Sequence, residues 1–196
     1  MCRFIETLCI EQEELKNVEY HNRRMNETRH RFWKSAPLLR LEEFVFPQGC
    51  VSRTRCRLTY GREVESIEYF PYHLRRVNSL RLVEGGGVDY RFKWADRSVL
   101  DCLFAQRGEA DEVLIVQHGL LTDTSIANIA LWNGKEWHTP SVPLLRGTHR
   151  QRLLEEEVIH ERPIEIARLS EYSRIRLFNA MIRFGEVELP VANIIG

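Results

Sequence analysis

Thr122-Asp123-Thr124-Ser125-Ile126-Ala127-Asn128, followed by Leu145-Arg146-Gly147-Thr148-His149-Arg150, is the part of this 196-residue chain that decides its fold. An acid among small side chains leads into the apolar run Ile129 to Trp132, which reads as a strand spanning Ser125 to Trp132. Gly147 then opens a predicted helix from Thr148 to Glu157. A glycine permits close backbone approach, and the free amides at a helix start favour a dianion. Upstream lies Lys93, one of four lysines (Lys16, Lys34, Lys93, Lys135) among 28 basic residues. Arginine stays protonated, so any imine chemistry must use one of those four amines. Lys93 stands out because Phe92 and Trp94 flank it with apolar surface. A lysine to hold an aldehyde, an acid to face a pyridinium nitrogen and amides to take a phosphate are what a pyridoxal 5'-phosphate site requires.

Working outward, Glu84-Gly85-Gly86-Gly87 suggests a flexible connection. It divides the chain into a small α+β domain (1-84), a glycine linker (85-87) and a larger cofactor domain (88-196). Before it, Arg3 to Cys9 reads as a strand, and Glu19 to Trp33 as a helix with Tyr20, Arg24, Thr28 and Phe32 on one side. Val51 to Tyr60 and Val64 to Phe70 form a predicted hairpin, and Leu80 to Val83 a short strand. After it come a helix from Asp96 to Arg107, a buried strand from Val113 to Val116, and a two-residue Asn133-Gly134 hairpin turn. The expected fold is α+β, two domains with mostly antiparallel sheets.

Composition narrows the function classes. The formal net charge is zero, which gives no basic excess for a nucleic acid partner. No apolar run approaches the roughly 20 residues of a membrane span. Five cysteines, an odd number without metal spacing, read as small hydrophobes in a reducing compartment, and the expectation is a cytoplasmic protein with no metal.

Four fragments in order, Phe4-Ile5-Glu6-Thr7, His21-Asn22-Arg23-Arg24-Met25, the Thr122 to Asn128 run and Thr139-Pro140 with Leu145-Arg146-Gly147-Thr148, make the chain familiar. It resembles the class IV aminotransferase family, the fold-type IV pyridoxal phosphate enzymes, and within it the short members named as 4-amino-4-deoxychorismate lyases. The resemblance implies a D-amino acid aminotransferase-like fold with pyridoxal 5'-phosphate between the domains, and a homodimer with the site near its interface. It makes Lys93 the cofactor-linked lysine and general base, Asp123 the partner of the ring nitrogen, and Arg24 the phosphate-binding arginine. Gly147, Thr148 and His149 would complete the phosphate site, and Ser125, Ile126, Ala127 and Asn128 would pass beneath the ring.

Plainer readings stand beside these. Lys93 could be a solvated lysine, Asp123 a turn residue, Arg24 a surface residue among arginines, and Asn128 a group tying down its own turn. Arg53, Arg55 and Arg57 share one strand face, so Arg55 and Arg57 are candidates for a substrate carboxylate or members of a solvated edge. Arg97, one helical turn past Lys93, is a third substrate candidate. The family pattern usually has glutamate where Asp123 stands, Gly-Ile-Thr-Arg where Gly147-Thr148-His149-Arg150 stands, and a tyrosine where Ile5 stands. Some transaminases of the family also have an arginine two residues before a strand-ending turn, where Tyr60 precedes Gly61 here. That difference and Ile5 favour the lyase, which eliminates pyruvate to leave 4-aminobenzoate in folate biosynthesis, over a transaminase of branched-chain or D-amino acids. A cofactor carrier with little turnover is the third reading.

Overall fold

Phe4, Glu6, Leu8 and Ile10 occupy alternate positions of β1 (Phe4–Glu11), the strand around which the first part of the structure is built. The computed structural model describes residues 2–196. Its packing separates one unit, Met1–His73 with Phe92–Asp96, from a second, Leu74–Arg91 with Arg97–Gly196.

In the first unit, β1 is followed by β2 (Glu14–Leu15), α1 (Val18–Phe32), β3 (Thr54–Tyr60) and β4 (Val64–Pro71). The sheet is antiparallel in the order β2-β1-β3-β4. Phe4 pairs with Tyr60, Glu6 with Leu58 and Leu8 with Cys56, so all six residues share one face. Phe4, Leu8, Cys56, Leu58, Tyr60 and Met25 are fully buried there. The inward side of α1 is His21, Met25, Thr28 and Arg29, one step round from the predicted Tyr20, Arg24, Thr28 and Phe32. The shift has a physical cause: Arg29 enters the interior because its guanidinium donates to the carbonyls of Arg62 and Pro37 and to Asn26 Oδ1. Trp94 pairs with Phe4 across the other edge of β1, their ring centroids 4.7 Å apart, and this draws Phe92–Asp96 into the unit.

The second unit contains β5 (Leu80–Glu84), α2 (Ser98–Ala105), β6 (Glu112–Gln117), β7 (Leu120–Thr124), β8 (Asn128–Trp132), β9 (Trp137–Pro140) and α3 (Thr148–Glu155). It continues with β10 (His160–Arg162), β11 (Arg174–Phe178), β12 (Val187–Pro190) and β13 (Ile194–Ile195). Two sheets form, β13-β5-β6-β7 and β10-β9-β8-β11-β12. The pairs β5–β6, β5–β13 and β9–β10 are parallel and the others antiparallel. The α+β architecture with mostly antiparallel sheets is therefore the one expected.

Three local expectations change. The strand predicted from Ser125 begins only at Asn128, because residues 125–127 are folded back as a turn after β7. The strand β7 itself follows β6 through His118 and Gly119, both at positive φ, which suits a tight two-residue turn. At Asn133-Gly134 the loop has four residues, since Trp132 pairs with Trp137 and Asn133 Oδ1 accepts the amides of Lys135 and Glu136.

The two units also part elsewhere than at the glycines. Residues 85–87 lie inside the second unit, because β5 pairs with β6 and the Gly85 amide donates to the Val116 carbonyl at 2.7 Å. Glycine at 85 serves close packing: a Cβ there would meet Ile115 Cγ2 at 2.5 Å, whereas one on Gly87 would meet nothing within 4 Å. Gly85→Ala should therefore lower stability by about 1–3 kcal/mol while Gly87→Ala leaves it nearly unchanged, as denaturant melts of the two variants will show.

Candidate active site

On the first unit, the inward face of β1 carries a carboxylate in an otherwise apolar row. Glu6 is fully buried between Phe4 and Leu8. Its Oε1 accepts Arg24 Nε at 2.9 Å, and its Oε2 accepts Arg24 Nη2 at 2.5 Å and His21 Nδ1 at 2.6 Å. Burial pushes this carboxyl up, but Arg24 and His21 together outweigh it and hold Glu6 at about 2. His21 is pulled down, first by burial and further by the positive charges of Arg24 and Lys93, against the opposing effect of Glu6. His21 is accordingly neutral and donates its Nδ1 hydrogen to Glu6.

Lys93 stands at the far edge of β1. The Ile5 amide donates to the Lys93 carbonyl at 3.0 Å, and the Ala95 amide to the Arg3 carbonyl at 2.9 Å. Lys93 is half-buried and adopts φ 52°, a left-handed conformation that non-glycine residues take at a cost of about 1 kcal/mol. Lys93 and Arg24 thus hang from neighbouring points of one strand, Lys93 through Ile5 and Arg24 through Glu6.

Arg55 and Arg57 are not part of this cluster. The register places them opposite Cys9 and Thr7, on the sheet face turned away from Glu6. Arg55 is exposed and lies 4.8 Å over the Phe70 ring, while half-buried Arg57 has no hydrogen-bond partner at Nε.

On the second unit, the predicted stretch folds into a cradle. Thr124 Oγ1 accepts the amides of Ile126 and Ala127 and so closes the turn. Ser125 is held from both sides: its hydroxyl donates to buried Glu112 at 2.6 Å, and its carbonyl accepts Arg97 Nη2 at 2.9 Å. Arg97 is therefore joined to this turn through the Ser125 carbonyl. Exposed Ile126 is fixed through its carbonyl, which accepts Asn179 Nδ2.

Asp123 is buried at the end of β7. Its Oδ1 accepts Asn128 Nδ2 at 2.8 Å and its Oδ2 accepts the Leu145 amide at 2.9 Å. Asn128 Nδ2 also reaches the Leu145 carbonyl at 2.8 Å, so this side chain ties its own turn to the segment leading into α3. Gly147 packs against it so closely that a Cβ would meet Asn128 Oδ1 at 2.0 Å. The glycine thus serves contact with Asn128, its backbone being in the ordinary extended region.

Thr148 and His149 begin α3 and are buried. The imidazole of His149 donates from Nδ1 to the Asn179 carbonyl at 2.9 Å, and burial, foremost, holds its basicity down. His149 thereby secures the turn after β11, and what it offers at the start of α3 is its backbone amide. Sequence reasoning missed Glu6, His21, Glu112 and Asn179. Glu6 could have been found as a carboxylate at the centre of an alternating apolar strand, and Glu112 as an acid heading the run Val113 to Val116. Asn179 left no comparable signal.

The donor set suits pyridoxal phosphate. Burial raises Asp123 to about 6, and the hydrogen bonds from Leu145 and Asn128 and the charge of Arg150 only partly oppose it. A carboxylate still undercompensated in this way gains from an adjacent cation, and a protonated ring nitrogen is one. The first amides of α3, with Gly147 before them, are suited to an anion.

The sequence model of amino-transferase class IV matches residues 87–189. The chain belongs to that family. A Haemophilus influenzae protein of undescribed function is 37% identical over 185 residues, covering 92% of this chain and 98% of its own. A solved structure from Haemophilus somnus, described as a "putative 4-amino-4-deoxychorismate lyase", is 33% identical with a TM-score of 0.84, covering 93% of this chain and 97% of that one. A hypothetical aminotransferase from Mycobacterium tuberculosis, in its PLP-bound form, shares the fold at 19% identity with a TM-score of 0.78, covering 98% and 81%. Class IV aminotransferases depend on pyridoxal phosphate and are generally dimeric enzymes acting on small substrates. No helix among the described residues is long and apolar enough to cross a membrane, and no cluster of His, Cys, Asp and Glu among them could hold a metal ion.

Two outcomes are expected at the cradle. An unfolded aspartate ionises near 3.8, whereas Asp123 in the folded protein does so at about 6. The stability this supplies is full below about pH 3.8 and is lost as pH rises through about 6, on the order of 3 kcal/mol. In cofactor-free protein, the melting temperature of the parent chain relative to Asp123→Asn should fall across that window and level off above it. Gly147→Ala should displace Asn128 and reduce stability by about 1–3 kcal/mol, read by denaturant melts.

Proposed function

We propose that this chain is a pyridoxal phosphate-dependent 4-amino-4-deoxychorismate lyase, acting as a cytoplasmic homodimer in folate biosynthesis. The observation that carries the reading is the likeness along nearly the whole chain to the Haemophilus somnus protein described in those terms. The family's dimeric habit supports the homodimer, and five free cysteines accord with a reducing compartment.

When bound, the cofactor supplies an aldehyde that condenses with amines and a ring that accepts electrons. Lys93 would hold that aldehyde through its amine, and once displaced would take the proton from the substrate carbon bearing the amino group. Asp123, kept in place by Asn128 and the Leu145 amide, would retain the proton on the ring nitrogen. Arg24 and the first amides of α3 would hold the phosphate. The turn held by Thr124 and Ser125, with Ile126 and Ala127, would support the ring face. Loss of pyruvate from the adjacent carbon leaves 4-aminobenzoate, and the aromaticity of that product drives the step.

Incubating purified protein loaded with pyridoxal phosphate with 4-amino-4-deoxychorismate should release pyruvate and 4-aminobenzoate in equal amounts. Borohydride reduction and peptide mapping should locate the cofactor on Lys93, and Lys93→Ala should abolish both colour and turnover. Amino-group exchange between a donor and a keto acid without pyruvate release would replace the lyase by a transaminase. A tag on another residue would refute the site.

A further inference from the structure

We infer that Glu6 is a positioning residue for the phosphate-binding guanidinium of Arg24, and that His21 fixes Glu6 in turn. The inference rests on the reading of Arg24 as the phosphate-binding arginine. Glu6 occupies the row of Phe4, Leu8 and Ile10, which faces the core of the first unit. Folding alone has no need of a charge there, since a buried ion pair is on average no better for stability than apolar residues of similar volume. What a carboxylate supplies at that point is direction. Its two oxygens engage Nε and Nη2 of Arg24, at 2.9 and 2.5 Å, and so fix the plane of the guanidinium and where its remaining edge faces. The arginine side chain is 13% exposed, and these two bonds set its orientation.

The carboxylate needs its own anchor, because a glutamate bonded to one long side chain can turn with it. His21, one helical turn before Arg24 on α1, provides this by donating from Nδ1 to Glu6 Oε2 at 2.6 Å. The imidazole is fully buried and neutral, so it orients the carboxylate without removing the charge that Arg24 needs. Helix α1 and strand β1 are thereby tied together at the guanidinium. The cost of ordering a long arginine is met during folding and need not be met when an anion binds.

The test separates phosphate from the rest of the cofactor. Cofactor-free protein is titrated with pyridoxal 5'-phosphate and with pyridoxal, and binding is followed by visible absorbance. Glu6→Gln should weaken pyridoxal 5'-phosphate about tenfold or more while changing pyridoxal less than about twofold. Arg24→Ala should do the same, and the double variant should be no weaker than Arg24→Ala alone. Equal losses for both ligands, an unchanged affinity for pyridoxal 5'-phosphate, or additive losses in the double variant would each overturn the inference. Should Glu6→Gln not fold, His21→Gln decides the matter: a smaller loss confined to the phosphorylated ligand supports it, and any other pattern refutes it. If Arg24→Ala leaves pyridoxal 5'-phosphate binding intact, the cofactor reading fails at Arg24 and this inference falls with it.

Discussion

The contact among Glu6, Arg24 and His21 is the constraint from which the first unit is organised. A carboxylate enclosed by the core would be expelled or protonated without compensation, yet here a guanidinium and an imidazole hydrogen keep it ionised at about 2. The same strand holds the Lys93 backbone through Ile5. β1 therefore sets the positions of both an arginine and the half-buried lysine, and the aromatic packing of Phe4 with Trp94 keeps that edge in register. Burial and charge pairing act together: the apolar row makes the ion pair strong, and the ion pair explains why the row is interrupted.

The second unit shows the opposite balance. Asp123 receives two neutral hydrogen bonds and feels Arg150 at a distance, so burial prevails and raises it to about 6. One buried carboxylate is overcompensated and the other undercompensated, and that difference separates their roles. Glu6 is committed to partners within the protein. Asp123 retains an electrostatic preference that an adjacent cation would satisfy. The surrounding turn is correspondingly stiff: Thr124, Glu112, Arg97 and Asn179 each fix a different backbone or side-chain group of residues 124–127.

Much of this was legible in the amino-acid order. The α+β class and the helix entered at Gly147 follow from residue type and short-range pattern. The less accurate expectations share a cause. The run Ser125 to Trp132 has strand composition throughout, yet Thr124 captures two amides and folds its first three residues back. Asn133-Gly134 has the composition of a two-residue turn, yet the Asn133 side chain takes two amides and lengthens the loop to four residues. In each instance a side chain competed successfully for backbone donors, which propensity alone does not weigh.

Residue chemistry by itself determined what the chain has to offer: a scarce amine, an acid among small residues, a glycine before a helix. Tertiary structure decided what each group faces. It set Arg55 and Arg57 on the face of β1's sheet away from Glu6, made Arg97 a support for Ser125, and turned Gly147 towards Asn128. It also drew three glycines that resemble a linker into a packed unit. The reason is physical: ionisability and conformational freedom belong to single residues, whereas desolvation, charge pairing and close contact arise only when distant segments are folded against one another.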